Sequence, residues 1–366
     1  MLIALVSDCY LPRLGGIEVQ VADLAAHLRS AGHSVVVVTA TRGPQQPGVC
    51  RLDSPVSGGV PVNPWAGPQL RAVLARADIV HVHLGVLAPF AQMAATIAVE
   101  LGLPVVLTWH SLVSGSVLTP ALRRSWRKWV QAGAVPMAVS TVAAQQVSLA
   151  LGGEDVEVLR NGLDLQRWRG QSERTASSRS GHQPIQVISA MRFAVRKRPV
   201  RLMSIMSAVA KALPEPDGLH LTICGDGPWL RPLHRLVGHS SMRAWVDLPG
   251  RVSRDELAAR YRQSDLYLAS ARQEAFGIAA LEARSAGLPV AGYADSGVSD
   301  VVQDGVGGVL AVSDADMVRR LSALLGDSSQ LESMARYHRE YLLAHHDWAA
   351  VTEATLRTYE GIMVSR

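Results

Sequence analysis

The sequence has few cysteines and no long apolar run. Its three cysteines, Cys9, Cys50 and Cys224, are widely separated, which argues against a disulfide framework or a zinc site. No apolar stretch reaches the roughly 20 residues that a membrane-spanning helix needs. Because the chain starts with a strand-like pattern at 2–6 instead of a charged signal segment, we expect a cytoplasmic protein.

Lysine is also scarce, since only Lys128, Lys197 and Lys211 occur and arginine supplies the other positive charges. The net charge of +5 at pH 7 and the pI near 9.4 favour an anionic ligand or surface. No nucleic-acid partner is expected. At 366 residues and 48% hydrophobic composition, the chain is long enough for two domains, each with its own core.

The dinucleotide-binding motif G-x-G-x-x-G does not follow the first strand pattern, where the pair Gly15 and Gly16 comes after a longer loop. Buried-strand and amphipathic-helix patterns nevertheless alternate in both halves, which predicts two doubly wound parallel sheets. The expected strands lie at 2–6, 35–38, 79–83, 105–110, 137–140, 156–159, 185–190, 219–224, 265–270 and 288–291. We predict an N-terminal domain at 1–168, a polar linker at 169–183, a second domain at 184–346 and a terminal helix at 347–366.

The most informative segment is 273–289, a loop that runs into a helix beginning near Phe276 and ending at Gly287. The N terminus of a helix is an anion site. Glu274 and Glu282 would be about 12 Å apart if both were helical, too far to share one proton, so two contacts along an extended polar ligand are predicted. A surface helix whose glutamates favour its N-terminal half is an equally good explanation of this pair alone.

Two cations follow the strand pattern at 185–190. Arg192 and Lys197 flank the loop after that strand, where the two positive charges would meet a diphosphate. A charge pair at about 4 Å is worth about 1 kcal/mol in water and several times that in a partly closed cleft. A solvated basic turn is the ordinary alternative, although the scarcity of lysine favours a function for Lys197.

Three histidines lie at or near strand ends. His81 and His83 share one face of their strand, and His110 ends the next one. A His-x-His pair can bind metal, but no carboxylate or cysteine partner is evident, so packing is the favoured interpretation and no metal site is predicted.

The helix predicted at 120–132 is sharply amphipathic, with Trp126 and Trp129 on one side and arginine and lysine on the other. Such a helix can rest on an anionic membrane, grip an acidic acceptor, or simply pack its apolar side on the core. Core packing is the favoured interpretation. Peripheral membrane contact through the helix around Trp126 and Trp129 is the second hypothesis.

Together these features resemble glycosyltransferase family 4, the retaining GT-B nucleotide-sugar enzymes, over nearly the whole chain. The order and spacing of the matching pieces within two α/β halves carry the resemblance. They are Gly15-Gly16 with the helix that follows, 78–83, 108–111, 160–164, Arg192 with Lys197, 225–228 and 274–282. The resemblance implies two Rossmann-like domains facing across a cleft, with the C-terminal helix returning to the N-terminal, acceptor-side domain.

The resemblance also implies residue roles. Arg192 and Lys197 would neutralise the donor diphosphate and Glu282 would hold the ribose hydroxyls. Glu274 would contact the transferred sugar, and His110 would lie beside the reacting sugar and the acceptor.

Further contacts would come from backbone near Phe276 and Gly277, which would meet sugar and phosphate. Val252 would lie by the base, and Gly15 and Gly16 would close on the phosphates from the opposite domain.

Two departures from the family pattern stand out. Val298, Ser299 and Asp300 replace a second glycine and Pro-Glu after Gly297, which affects the sugar pocket. Arg198 stands where glycine is common, which predicts a tighter or more basic phosphate loop.

The function expected from this resemblance is retaining transfer of a hexosyl group from a UDP- or GDP-hexose to an acceptor hydroxyl. The acceptor classes are a lipid or phosphoinositide, a cyclitol or aminocyclitol, and a saccharide. No metal or other cofactor is expected, and membrane contact would place the protein at the inner membrane face. A sugar-nucleotide epimerase and a non-catalytic nucleotide-sugar-binding partner are the alternatives.

Overall fold

The computed structural model describes residues 1–13, 15–54, 60–85, 87–113, 119–169, 184–213 and 218–364. The chain divides into two compact units, one made of Met1–Leu163 with Ala344–Arg366 and the other of Asp164–Leu343. The division therefore falls slightly before the predicted domain end at 168. The predicted linker at 169–183 lies outside the described residues except for Arg169.

The first unit alternates strands and helices as the apolar patterns predict. Its strands are β1 Leu2–Ser7, β2 Ser34–Thr39, β3 Val49–Arg51, β4 Ile79–Leu84, β5 Val105–Trp109, β6 Val135–Ala138 and β7 Glu157–Val158. Its first helices are α1 Gly16–Ser30, α2 Gly67–Leu74, α3 Pro89–Glu100, α4 Pro120–Gln131 and α5 Thr141–Leu151. The strands form one parallel sheet in the order β3-β2-β1-β4-β5-β6-β7.

Helix α4 packs its aromatic side inward. Trp126 and Trp129 are 2% and 4% exposed and belong to the core that α2, α3, α4 and α5 form on one face of the sheet. Arg124, Arg127 and Lys128 are exposed. The helix therefore packs its apolar side on the core, as the favoured interpretation predicted. In this fold the two indole rings are not available for a membrane contact.

The second unit has the same pattern. It begins with the short helix α6 Leu165–Arg169, and its strands are β8 Ile185–Ala190, β9 Leu219–Cys224, β10 Val246–Gly250, β11 Leu266–Leu268, β12 Val290–Tyr293 and β13 Gly308–Ala311. Its further helices are α7 Pro199–Ala212, α8 Leu230–Gly238, α9 Arg254–Gln263, α10 Ile278–Ser285, α11 Asp314–Leu325 and α12 Ser328–Glu340. The sheet is parallel in the order β10-β9-β8-β11-β12-β13.

Two strands of the second unit differ from the predicted bounds. Strand β11 is shorter than the predicted 265–270, and β12 begins at Val290 instead of at 288. The later start has a local cause, because Gly287 has a φ of 88° and the Leu288 N–H donates to the Ala283 carbonyl. This motif closes the end of α10 before the strand can begin.

The chain then returns to the first unit, where a 3-10 turn at Ala344–His346 precedes the terminal helix α13 Trp348–Val364. This helix shares a core with α1 on the second face of the first sheet. The Trp348 ring stacks on His27 of α1, with ring centroids 4.9 Å apart. The C-terminal segment is thus part of the N-terminal fold.

The backbone at Gly162 is fixed from two sides. The Gln20 side chain donates to the Gly162 carbonyl at 2.8 Å and accepts from the Gly162 N–H at 2.9 Å. The Leu163 N–H donates to the His346 carbonyl at 2.7 Å. The Trp348 ring packs so closely that a Cβ at Gly162 would lie 2.4 Å from it.

We expect Gly162→Ala to lower the free energy of unfolding by about 1–3 kcal/mol, because a buried ring must move to admit the methyl group. Gly361→Ala is the control, since it lies in α13 with open space around its Cβ position and should be neutral or stabilising by up to about 1 kcal/mol. Thermal and urea unfolding measure both. Equal stability of the two variants would contradict the packing described here.

Candidate functional site

The candidate donor site lies at the carboxyl edge of the second unit's sheet, where strand order reverses between β8 and β11. In an open parallel sheet, ligands bind at this switch point. Arg192 and Lys197 follow β8, and Glu274 follows β11. The topology therefore gathers the predicted site residues of this half at one edge.

The loop that carries Arg192 is held in place by the turn at 225–227, which follows β9. Gly225 and Gly227 have φ values of 141° and 151°, and a Cβ at Gly225 would lie 1.8 Å from the Met191 carbonyl oxygen. The Phe193 N–H donates to the Asp226 carbonyl at 2.9 Å. Because only glycine permits this approach, the Gly-Asp-Gly turn supports the loop that leaves the Arg192 side chain exposed.

Lys197 and Glu274 form an ion pair between Nζ and Oε2, although they are remote in sequence. Both side chains are mostly buried, at 22% and 21% exposure. The Ser270 hydroxyl donates to the Lys197 carbonyl at 2.8 Å and fixes the backbone of the same loop. The structure thus brings together the predicted phosphate cation and the predicted sugar carboxylate.

The neighbouring Arg198 does not take part in the Lys197–Glu274 ion pair. It is one of two described non-glycine residues with positive φ, at 56°, and its guanidinium donates to both Asp314 oxygens at 2.9 and 2.7 Å. It also lies over the Tyr293 ring at 5.5 Å. The Arg198 charge is thus paired with Asp314 at the start of α11, which also pairs with Arg201 at 3.0 Å.

Helix α10 begins at Ile278, two residues after the predicted start near Phe276, with Gly277 as its N-cap at a φ of 92°. As a glycine, this N-cap has no side chain with which to cap the first turn. Phe276 is buried, and Gly297 fits so tightly that a Cβ would lie 2.1 Å from the Ala275 carbonyl oxygen. The Gly297 N–H donates to the Glu274 carbonyl at 2.8 Å, so the loop carrying Glu274 is held from the β12 side.

Glu282 lies within α10 and is partly buried. Loss of water around its carboxyl raises its pKa to about 8, against a smaller lowering by the Arg254 charge. Val252, in the loop after β10, is also partly buried. The predicted ribose and base contacts thus lie on α10 and in the loop after β10.

The first unit holds the remaining predicted residues at the carboxyl edge of its own sheet. Gly15 is the extended N-cap of α1, and Gly16 is the first residue of that helix. Glu18 in the first turn is buried and pairs with Arg13 at 3.2 Å. Next to Gly15 and Gly16, the helix start therefore carries a buried carboxylate.

His110 directly follows β5, one residue past the observed strand end, and is hydrogen-bonded to His83, with His83 Nδ1 and His110 Nε2 2.9 Å apart. His81 lies between Tyr359 and Thr108, with both ring nitrogens 2.7 Å from a hydroxyl oxygen. The described residues contain no group of three or more His, Cys, Asp or Glu side chains that could hold a metal ion.

Sequence reasoning missed the partners of the predicted residues. Asp314 and Ser270 hold the Lys197 loop, and Tyr359 reaches His81 from the terminal helix. None of these follows from spacing, because each pair joins distant parts of the chain. The His-x-His pattern was the one available signal for the histidine cluster.

Comparisons with known families decide the identity. The family description Glycosyltransferase Family 4 matches residues 14–167, and the description Glycosyl transferases group 1 matches residues 171–341. The chain belongs to glycosyltransferase family 4. It is a nucleotide-sugar glycosyltransferase with the GT-B fold.

Relatives of this glycosyltransferase match more than nine-tenths of its length. It is 26% identical to the GDP-mannose-dependent alpha-(1-6)-phosphatidylinositol monomannoside mannosyltransferase of Mycobacterium tuberculosis, over 94% of each chain. It is 27% identical to the sulfoquinovosyl transferase SQD2 of Arabidopsis thaliana, over 93% of this chain and 69% of that one. The structure of Anabaena Alr3699/HepE in complex with UDP has a TM-score of 0.78 at 16% identity, over 98% and 99% of the two chains.

None of the glycosyltransferase's helices, within the described part of the chain, has the length and apolarity to cross a membrane.

The raised pKa of Glu282 predicts a pH-dependent stability. The folded state holds this proton at pH values where the unfolded chain, in which glutamate has its usual pKa of 4.5, has released it. Stability therefore falls as pH rises from about 5 to about 8. Glu282→Gln lacks this contribution, so its stability relative to wild type should rise over the same range.

Urea unfolding at several pH values measures this difference, with Glu340→Gln on the exposed side of α12 as the control. Parallel pH profiles for wild type and Glu282→Gln would show that Glu282 is not desolvated in this way.

Proposed function

We propose that this glycosyltransferase moves a hexosyl group from a UDP- or GDP-hexose to an acceptor hydroxyl, with retention of anomeric configuration. The observation that carries the proposal is the Lys197–Glu274 pair at the switch point between β8 and β11. It joins a cation suited to a diphosphate and a carboxylate suited to sugar hydroxyls. The UDP complex named for the Anabaena structure and the GDP-mannose named for the mycobacterial relative support both donor bases.

Lys197 and Arg192 would stabilise the negative charge that grows on the leaving diphosphate. A lysine ammonium has three N–H donors, so Lys197 can bind a phosphate oxygen and Glu274 together. Pairing with Glu274 also keeps the ammonium oriented before the donor arrives. In this proposal, Glu282 accepts hydrogen bonds from the ribose hydroxyls. The backbone at Phe276 and Gly277 contacts the sugar and the phosphate.

Retention is proposed from the family, through attack on the same face as the departing group. The acceptor oxygen bonds to the anomeric carbon as the bond from that carbon to the phosphate oxygen breaks. The acceptor's proton passes to the leaving phosphate oxygen. Metal is not required in this scheme, since side-chain cations hold the phosphates.

The acceptor is proposed as one of three classes: a lipid such as a phosphoinositide, a cyclitol or aminocyclitol, or a saccharide. The lipid acceptor named for the mycobacterial relative supports the first class. A cytoplasmic location is part of the proposal and is supported by Cys9, Cys50 and Cys224, which are few, widely separated and not joined by a disulfide.

Lys197→Ala should weaken binding of UDP or GDP tenfold or more, because one charge-assisted contact to a phosphate is lost. Isothermal titration calorimetry measures the dissociation constants. Lys211→Ala is the matched control, since this exposed lysine lies in the last turn of α7. Equal nucleotide affinities of the two variants would show that Lys197 does not contact the nucleotide.

The donor is found by thermal-shift screening, because a ligand at 100 times its dissociation constant stabilises by about 2.7 kcal/mol. NMR of the product with that donor then gives the anomeric configuration. An inverted product would refute retention, and a changed sugar nucleotide without acceptor would indicate an epimerase.

We further propose that the exposed basic side of α4 contacts anionic membrane, without its buried tryptophans. Replacing Arg124, Arg127 and Lys128 by glutamine should reduce sedimentation with phosphatidylglycerol vesicles several-fold, since each basic residue near such a surface contributes about 1 kcal/mol. Arg231→Gln with Arg235→Gln on α8 is a control of the same kind, because both are exposed. Equal sedimentation of both variants would exclude α4 as the contact.

A further inference from the structure

Three histidine rings meet at the carboxyl ends of β4 and β5 in the first unit. His83 Nδ1 lies 2.9 Å from His110 Nε2, and the His81 ring stacks on His83 with centroids 4.2 Å apart. His83 is 3% exposed and His110 is partly exposed. His110 therefore reaches the edge of the sheet while His83 lies behind it.

Both rings of the hydrogen-bonded pair are neutral near pH 7. Burial lowers the pKa of His110 to about 4, and burial together with the neighbouring His81 and His110 lowers the pKa of His83 well below its usual value. A neutral imidazole carries one N–H and one lone pair. The pair can therefore share its hydrogen bond in only two ways, with either His83 or His110 as the donor.

His81 does not disturb this choice, because both of its nitrogens have other partners. Its Nδ1 lies 2.7 Å from the Tyr359 hydroxyl and its Nε2 lies 2.7 Å from Thr108 Oγ1. Its contact with His83 is a stacking contact between ring faces. The tautomer of the pair is set by the surroundings of His83 Nε2.

His83 Nε2 is buried and has no hydrogen-bond partner in the described part of the chain. If His110 were the donor, His83 would carry its proton on Nε2 as a buried, unpaired N–H. If His83 is the donor from Nδ1, Nε2 keeps only a lone pair. Unpaired buried N–H groups are rarer than under-satisfied acceptors, so the second arrangement is favoured.

We propose that His83 is a positioning residue that donates from Nδ1 to His110 Nε2 and so holds His110 with its proton on Nδ1. His110 then presents an N–H donor, and not a proton acceptor, at the carboxyl edge of β5. Its Nδ1 makes no hydrogen bond to the described residues. In this proposal it donates to a hydroxyl oxygen of a ligand.

This inference deepens the proposed function and rests on it only for its catalytic consequence. A His110 ring fixed in this tautomer cannot take the acceptor's proton while His83 occupies Nε2. The proton must then leave by another route, and the same-face scheme sends it to the departing phosphate oxygen. His110 would orient the reacting sugar or the acceptor by donating a hydrogen bond.

The direct test is an NMR measurement without substrate. Long-range ¹H–¹⁵N correlation spectra of the full chain, labelled with ¹⁵N-histidine, distinguish the two tautomers, and the His110 signals are those lost in His110→Gln. We expect a neutral His110 protonated on Nδ1 at pH 7.5. A His110 ring protonated on Nε2, or on both nitrogens, would overturn the proposal.

A pair of variants separates positioning from packing. His83→Asn keeps a side-chain N–H near the place of Nδ1, whereas His83→Leu has none. In His83→Leu, the His110 signals should show both tautomers and kcat should fall about tenfold, the value of about one hydrogen bond, with KM for the donor changed less. His83→Asn should recover the Nδ1–H tautomer and most of kcat.

A wild-type His110 tautomer in His83→Leu would overturn the proposal, as would equal losses of kcat in the two variants at matched Tm. The spectra decide the tautomer even if no glycosyl transfer is detected. A failure of the proposed function is therefore distinguishable from a failure of this inference.

Discussion

The ion pair between Lys197 and Glu274 is the contact on which the account of the donor site depends. Two loops that follow neighbouring strands meet there, and each loop is held by its own backbone contacts. Because both side chains are mostly buried, the two charges interact more strongly than they would in water. The pair keeps a cation and a carboxylate ready at the edge where an open parallel sheet binds its ligands.

Much of this arrangement follows from the sequence, and for physical reasons. Buried parallel strands give apolar runs, and glycine with proline marks where helices stop, so the alternation of β8, α7 and β9 is readable. Strand ends in such a sheet share one edge, which places Arg192, Lys197 and Glu274 in the same neighbourhood without any knowledge of contacts. The N terminus of α10 can also be predicted, because its apolar residues recur at helical spacing.

The sequence does not give pairings between distant side chains. Arg198 lies next to Lys197 in the sequence, yet its guanidinium pairs with Asp314 and lies over the Tyr293 ring. The direction of a side chain depends on a residue far along the chain, which no local pattern contains. The tryptophans of α4 are a similar case. The amphipathic pattern predicted that they share one side of the helix, but it did not show which residues pack against them.

The histidine cluster shows how a buried network can decide the chemistry of a partly exposed side chain. Spacing placed His81 and His83 on one face of β4, and only the fold revealed that His83 meets His110 while His81 meets Tyr359. A neutral ring with one nitrogen engaged offers a single kind of contact through the other. The role of His110 is then fixed by a residue that touches no substrate.

The central claim is that the switch point of the second unit holds the donor diphosphate, and a crystal structure with UDP or GDP bound tests it most directly. The account predicts phosphate oxygens within about 3 Å of Lys197 Nζ, with Arg192 on the same diphosphate and the ribose hydroxyls at Glu282. A diphosphate bound elsewhere, with the Lys197–Glu274 pair unchanged and facing no ligand, would contradict it.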